Sequence, residues 1–363
     1  MLSESLVAEH HLPARDIGMH CNMWQDTWQA HYTQADLNAD IDTDLWVRLP
    51  NNSIVKVKKA LYGFKQSALQ WYDELRNTIT TVEEWKPGQH DDCLYYKVSE
   101  DGEIAILGTH VDDLISTGNY DAELQRMKKS LLNTYQGRDI GSPDQLLGVH
   151  ITIENNIGIT LNQTRYAADI VRGILGSLEV RTTSTPIDPG MDITATRSNE
   201  DVLDTSCMYS HHVGKLMYLA GMTRPDLANA VRELGRRASS PCMRHWRALQ
   251  HVARYLAGTK HIAIHYSSVV TDISDVLTGY SDSDWAQNTE DRKSITAYII
   301  LFNGSPIAWS SKTQSHITRS SAEAEWVAMS KGMTHAKHIR GTLMELGFAQ
   351  QTNTWLKTIK AQL

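Results

Sequence analysis

No stretch of this chain stays apolar for the roughly 20 residues that a membrane-spanning helix needs, so no such span is expected. Its first residues, MLSESLVAEHHLPARD, contain no basic segment followed by an apolar one and do not read as a secretory leader. An intracellular protein is the expectation. Cysteine is scarce. The four present (Cys21, Cys93, Cys207, Cys242) lie far apart without a CxxC pair, which argues against a zinc ribbon or a disulfide framework and leaves free thiols. His10-His11 and His211-His212 are adjacent pairs rather than helix-spaced ligands and do not suggest a metal site. Internal repeats and low-complexity tracts are also missing. So is an excess of positive charge: 35 basic against 42 acidic residues leave a net charge of -7. Nucleic-acid binders usually present a basic face. Here such a face would have to be local, as around Val55-Lys56-Val57-Lys58-Lys59 or between Arg224 and Arg254.

What is present is an ordinary globular composition, 41% hydrophobic and 21% charged over 363 residues, enough for two or three domains with their own cores. Residues 1–30 show weak periodicity. Leu45 to Leu49 alternates like a strand and meets a turn at Pro50-Asn51-Asn52. Ser67 to Thr80 has helical spacing. Asp92 to Val98 and Ile104 to Ile115 read as a hairpin closed by Ser99-Glu100-Asp101-Gly102. A helix is expected from Tyr120 to Tyr135. Strands follow around Leu147 to Ile153 and Ile157 to Leu161, separated by Asn155-Asn156, and then a helix from Tyr166 to Leu175. Residues 182–197 read as a linker. Helices follow over Met208 to Met222, Pro225 to Ala238 and Cys242 to Leu256, with Pro225 suited to a first turn. Val276 to Asp282, Ser294 to Asn303 and Ser305 to Lys312 read as successive strands. The helix expected from Ser320 to Leu346 carries a stripe of Ala324, Ala328, Gly332, Ala336, Ile339, Leu343 and Leu346.

Three constellations could carry chemistry. In Thr109-His110-Val111-Asp112-Asp113-Leu114-Ile115, two adjacent carboxylates repel, and each raises the other's pKa. A magnesium ion would relieve that repulsion and could clamp both oxygens of a phosphoryl transfer. The same residues also fit a solvated Asp-Asp turn. In the segment Lys58 to Ala68, Gly63 permits close backbone approach, Lys59 and Lys65 could meet phosphates, and Gln66 could bond a base or sugar. A basic loop before an amphipathic helix explains it equally. Finally, Asp282 at a strand end and Glu323 or Glu325 in the next helix could converge on a metal. Acids at a helix start are also favoured by its dipole alone.

Taken together, these segments resemble the Pol polyprotein of copia-type LTR retrotransposons. Lys58 to Tyr72 is similar to the family's "KKALYGLKQSPRAWY", and Leu107 to Thr117 to its "YVDDLL" hairpin. In family order follow Leu146-Leu147-Gly148-Val149, Thr185 to Pro189, Gly214 to Leu219 with Thr223 to Ala228, and His245 to Leu249 with Arg254 to Thr259. Tyr280 to Ala286 and Ser320 to Trp326 resemble "YSDADWAG…STAEAEY". The resemblance runs over about residues 31–350.

It implies an α+β multidomain fold: an unassigned segment 1–30 where fingers are missing, a partial reverse-transcriptase palm at 31–135, a thumb-like region at 136–190, a helical connection at 191–270 and a truncated, incomplete RNase H-like β-β-β-α domain at 271–363. It implies two-metal phosphoryl transfer on magnesium, with manganese as a substitute. Asp112 and Asp113 would be the polymerase ligands, and Asp282 and Glu325 the nuclease ligands. Gly63, Lys59, Lys65 and Gln66 would contact nucleic acid. The implied partners are an RNA template, an RNA/DNA hybrid and dNTPs, with other polyprotein products or a second copy, in a cytoplasmic particle or the nucleus and not on a membrane. The chain departs from the pattern at His31, which takes the place of the palm's first catalytic Asp. Asp36, five positions on, would face the opposite side of a regular strand and could replace it only if the strand were bulged or the alignment slipped. The later RNase H acids are not found in Thr354 to Leu363. Two functions follow as alternatives: an RNA-directed DNA polymerase with RNase H, or an inactive remnant with residual nucleic-acid binding.

Overall fold

A computed structural model describes residues 27–348 apart from 34, 42, 62, 65, 155–156, 189, 198, 268–276 and 287–289, together with the backbone of Thr354–Lys357. The chain forms two units, Met1–Pro143 with Gly341–Ala349, and Asp144–Arg340 with Gln350–Leu363. No described helix is long and apolar enough to cross a membrane.

The first unit is built on an antiparallel sheet. Its elements are β1 (Trp28–Tyr32), a 3-10 turn (Ala35–Asn38), β2 (Trp46–Arg48), β3 (Ile54–Lys56), α1 (Ser67–Asn77) with a π turn (Thr78–Val82), β4 (Lys86–Pro87), β5 (Leu94–Val98), β6 (Ile104–His110), β7 (Asp113–Gly118), α2 (Asp121–Thr134) and β8 (Gly137–Gly141). Strand order is β4-β5-β6-β7-β1-β8, while β2 and β3 form a separate ribbon. Alternation decides which side chains reach the core. Trp28, Ala30 and Tyr32 of β1 pack with Trp71 and Leu75 of α1, Leu107 and Leu114 of the central strands, and Leu124, Met127 and Leu131 of α2. Each fully buried side chain of this size contributes roughly 1.5–3 kcal/mol. Tyr32, Trp71 and Tyr135 meet edge to face, with centroids 5.8, 5.9 and 5.0 Å apart.

One expectation is corrected here. The apolar run from Ile104 to Ile115 is two strands, not one. Val111 takes φ +54, and β6 turns back into β7 with His110 opposite Asp113. The hairpin between β5 and β6 closes where Asp101-Gly102 predicts, with Gly102 at φ +84.

The second unit holds β9 (Gln145–Leu146), β10 (Val149–Glu154), β11 (Gly158–Asn162), α3 (Thr164–Leu175), α4 (Tyr209–Met222), a 3-10 turn (Pro225–Leu227), α5 (Ala228–Gly235), α6 (Met243–Thr259), β12 (Ile264–Ser267), β13 (Leu277–Asp284), β14 (Ile295–Phe302), β15 (Ser305–Thr313), α7 (Ser321–Glu345) and β16 (Thr354–Lys357). The turn expected at Asn155-Asn156 lies outside the described residues. Helices α3 to α6 share a core of Ile170, Val171, Leu216, Leu219, Leu227, Leu234, Leu249, Val252 and Leu256. Arg224, 1% exposed, ties this core to the last residue of α6. Its guanidinium donates to both oxygens of Asp226 at 2.8 and 2.6 Å and to the Thr259 carbonyl at 2.9 Å.

The last sheet has the order β15-β14-β13-β16. β13 to β15 form an antiparallel meander, and β16 returns parallel to β13. The predicted stripe on α7 is its buried side, from Ala324 and Ala328 to Leu343 and Leu346.

Candidate active site

The tip of the β6–β7 hairpin is held from two sides. A β-branched residue at positive φ is strained by about 1–3 kcal/mol, and Val111 is such a residue. The Trp71 indole donates to the Val111 carbonyl at 2.6 Å, and the Tyr32 amide donates to the Asp112 carbonyl at 2.8 Å. The core of the unit thus fixes a turn whose sequence contains no glycine or asparagine.

Next to this turn, β1 pairs with β7 so that His31 stands directly opposite Asp113. The two side chains share a face, and His31 Nδ1 lies 3.1 Å from Asp113 Oδ1. The imidazole therefore occupies one oxygen of the carboxylate. His31 is 45% exposed in its side chain and Asp113 23%, so the pair is open to solvent.

Asp36 is not on a strand. β1 ends at Tyr32, and Asp36 sits in the 3-10 turn behind it, 5% exposed. The expected regular strand that would carry it to the far face is therefore absent. Burial, and secondarily the negative charge of Asp112, raise its pKa above the usual carboxylate range.

Lys59 is engaged locally, its ammonium 2.7 Å from Asp40 and donating to the Asn38 carbonyl at 3.2 Å. Gly63 takes φ +90, a conformation that favours glycine. Gln66 leads into α1 with an exposed side chain that makes no capping bond. Lys65 lies outside the described residues. No bond of Lys59 or Gln66 to Asp112 or Asp113 is present among the described residues.

Asp282 pairs with Ala297, and Ala297 with Ser311. Ser311 receives a hydrogen bond from Arg232 of α5 at 3.2 Å. The alternate face carries Tyr298 and Thr296. Tyr298 meets His335 of α7 at 2.8 Å, and Thr296 bonds Gln314, which also donates to the Ala324 carbonyl. Asp282 thus faces α5 and lines a pocket of about 430 Å³ with Asp226, Asn229, Tyr280 and Asp284.

Glu325 belongs to α7. Its Oε2 is buried without a hydrogen-bond partner among the described residues. Glu323 serves the start of α7: its carboxylate accepts from the Arg319 amide at 2.7 Å, and its own amide donates to Ser320 Oγ at 3.1 Å. This is a capping arrangement. The structure brings His31 and Asp113 together. No bond between Asp282 and Glu325 is present among the described residues.

A two-metal cage needs oxygen ligands gathered from several elements. Among the described residues, no group of three or more His, Cys, Asp or Glu side chains is close enough to hold a metal ion. Near the hairpin, the donor set includes an imidazole already bonded to one of the two adjacent carboxylates. Imidazole suits softer metals than magnesium. The residues present do not fit the pair of magnesium ions.

Residues 23–189 match the family described as reverse transcriptase (RNA-dependent DNA polymerase). The retrovirus-related Pol polyprotein from transposon TNT 1-94 of Nicotiana tabacum is 29% identical over 87% of this chain and 24% of its own length. That from transposon RE2 of Arabidopsis thaliana is 33% identical over 81% of this chain and 20% of its own. This chain belongs to the reverse transcriptase family of copia-type Pol polyproteins.

It spans about a quarter of those relatives or less. A shorter relative, the secreted RxLR effector protein 161 of Plasmopara viticola, is 42% identical over 35% of this chain and 88% of its own length. The reverse-transcriptase match contains β1, α1 and the β6–β7 hairpin, hence His31, Asp36, Asp112 and Asp113. Asp282 and Glu325 lie beyond it.

The sequence reading missed two positioning groups, the Trp71 indole and the Tyr32 amide. Trp71 stood in the motif that carried the resemblance, but nothing local signalled that its N–H reaches a turn 40 residues away.

Proposed function

We propose that this chain is a reverse-transcriptase and RNase H-like segment of a copia-type Pol polyprotein whose polymerase centre is silent as it stands. Its surviving property is the binding of nucleic-acid strands. Residues 31–135 would be the palm, 136–190 thumb-like, 191–270 the connection and 271–363 the RNase H-like part. RNA template, RNA/DNA hybrid and dNTPs would be the ligands of the intact enzyme.

The observation that carries this reading is the bond between His31 and Asp113. A hairpin with two carboxylates is in place, and the strand that should deliver a third instead delivers an imidazole. The meander β13–β15, helix α7 and parallel β16 support the RNase H-like assignment. There too the acids fall short. Ser281 pairs with Lys357, and the next residue in the sequence is Thr358, which is not acidic.

Primer extension on an RNA template with magnesium or manganese tests the proposal. No extension by the wild-type chain is expected. Extension that disappears in Asp113→Asn would overturn it.

One observation favours a second reading, in which Asp36 supplies the missing carboxylate. It is buried, and the charge of Asp112 acts on it. Extension abolished by Asp36→Asn but retained by His31→Ala would establish that reading. Loss of neither activity nor product in Asp36→Asn would end it.

A further inference from the structure

The β2–β3 ribbon exposes what a folded chain usually hides. Its register pairs Trp46 with Lys56, Val47 with Val55 and Arg48 with Ile54. Paired residues share a face and residues two apart return to it. Trp46, Arg48, Ile54 and Lys56 therefore stand together on one side. Trp46 is 62% exposed and Ile54 60%.

An isolated two-stranded ribbon is marginally stable, so leaving an indole and an isoleucine in water here is unfavourable for folding alone. Among the described residues, no cation or ring stacks on Trp46, and Arg48 makes no ion pair. Lys56 reaches Asp44 at 2.5 Å, with both side chains well exposed. Lys58 follows just beyond the ribbon and is exposed.

We propose that this face is a stacking platform for single-stranded nucleic acid, with Trp46 under a base and Arg48 and Lys56 on the flanking phosphates. The charge pattern selects this occupant. In a chain of net charge -7, a face holding an open aromatic ring, Arg48 without an ion pair among the described residues, and Lys56 beside its exposed partner Asp44 keeps an excess of positive charge and suits a polyanion with π-surfaces. Directly opposed side chains lie about 5 Å apart and same-face neighbours along a strand about 7 Å apart. Both cations thus stand within reach of a nucleotide centred on the indole. Stacking on an aromatic tolerates any base, whereas cations on the backbone make binding salt-dependent. A duplex offers no unstacked base. The inference rests on the strand-binding reading above and not on catalysis.

The test is fluorescence anisotropy of labelled 12-nucleotide oligo(U) and of a duplex of the same length, against the full chain at low and moderate salt. Circular dichroism of each variant checks its fold. Tighter binding of the single strand is expected. Trp46→Ala should weaken it about tenfold and Trp46→Phe less than threefold. Arg48→Ala should lower the slope of log K against log salt by about 0.7. Photocrosslinking of 5-iodouridine should map to Trp46.

Unchanged affinity in Trp46→Ala would overturn the platform while leaving strand binding intact. Absence of any binding by the wild-type chain would overturn both. Self-association lost in Trp46→Ala, without oligonucleotide binding, would assign the face to a second copy instead.

Discussion

The Trp71 indole N–H points at the carbonyl of Val111, 2.6 Å away, and so joins the first helix to the strained tip of the carboxylate-bearing hairpin. Trp71 is 1% exposed, whereas Val111 at the tip is 50% exposed. Replacing the indole by Phe keeps most of the apolar volume and deletes the donor. Trp71→Phe should therefore cost about 1–3 kcal/mol in urea unfolding. It should also loosen residues 110–113 in hydrogen exchange. A loss in stability with no change in exchange at the tip would show that the indole only fills space.

Glu123 supports a second prediction. Its carboxylate is 5% exposed. Burial pushes its pKa up, but hydrogen bonds from Arg126, Lys97 and Trp85 outweigh this and hold it at about 2. A carboxylate with a depressed folded pKa stabilises the fold above its unfolded pKa, and that contribution fades as pH falls toward the folded value. The shift from 4.5 to about 2 corresponds to something on the order of 3 kcal/mol. Unfolding free energies of wild type and Glu123→Gln should differ most at pH 6–7, and the gap should close between about pH 4.5 and 2. A gap independent of pH would remove the charge from the explanation.

In the second unit, Arg224 makes a two-pronged pair with Asp226 while bonding Thr259. A lysine cannot reproduce that fork. Arg224 is buried but the Asp226 side chain is 31% exposed, so water takes over part of the lost bonding and Arg224→Ala should cost about 1.5–3 kcal/mol. Arg224→Lys should recover less than half of it. Chemical denaturation followed by tryptophan fluorescence reads both. Near-wild-type stability of the lysine variant would mean that charge alone suffices.

Much of this architecture is legible in the sequence, for reasons that differ by element. The α7 stripe from Ala324 to Leu346 declares its buried side because helical periodicity is local. The β5–β6 turn declares itself through Asp101-Gly102. Ile104 to Ile115 misleads because the turn at Val111-Asp112 carries no glycine, asparagine or proline to mark it. Bonds from Trp71 and Tyr32 hold it, and neither is near in sequence. Likewise, the face on which Asp282 emerges depends on its register with Ala297 and Ser311. Spacing within one strand does not reveal that. The position of His31 follows from the motif resemblance, but its bond to Asp113 required the β1–β7 pairing. Residues 1–26 lie outside what the structure describes.

The proposed silence of the polymerase centre comes from the His31 imidazole beside Asp113, where a third carboxylate would otherwise stand. Manganese binding, followed by electron paramagnetic resonance of the free ion, measures it directly in the wild-type chain and in His31→Asp. With three carboxylates around the hairpin, His31→Asp should bind manganese at least tenfold more tightly than wild type, and Asp113→Asn in that background should cancel the gain. Equal manganese affinity in wild type and His31→Asp would contradict the claim that His31 is what silences the site.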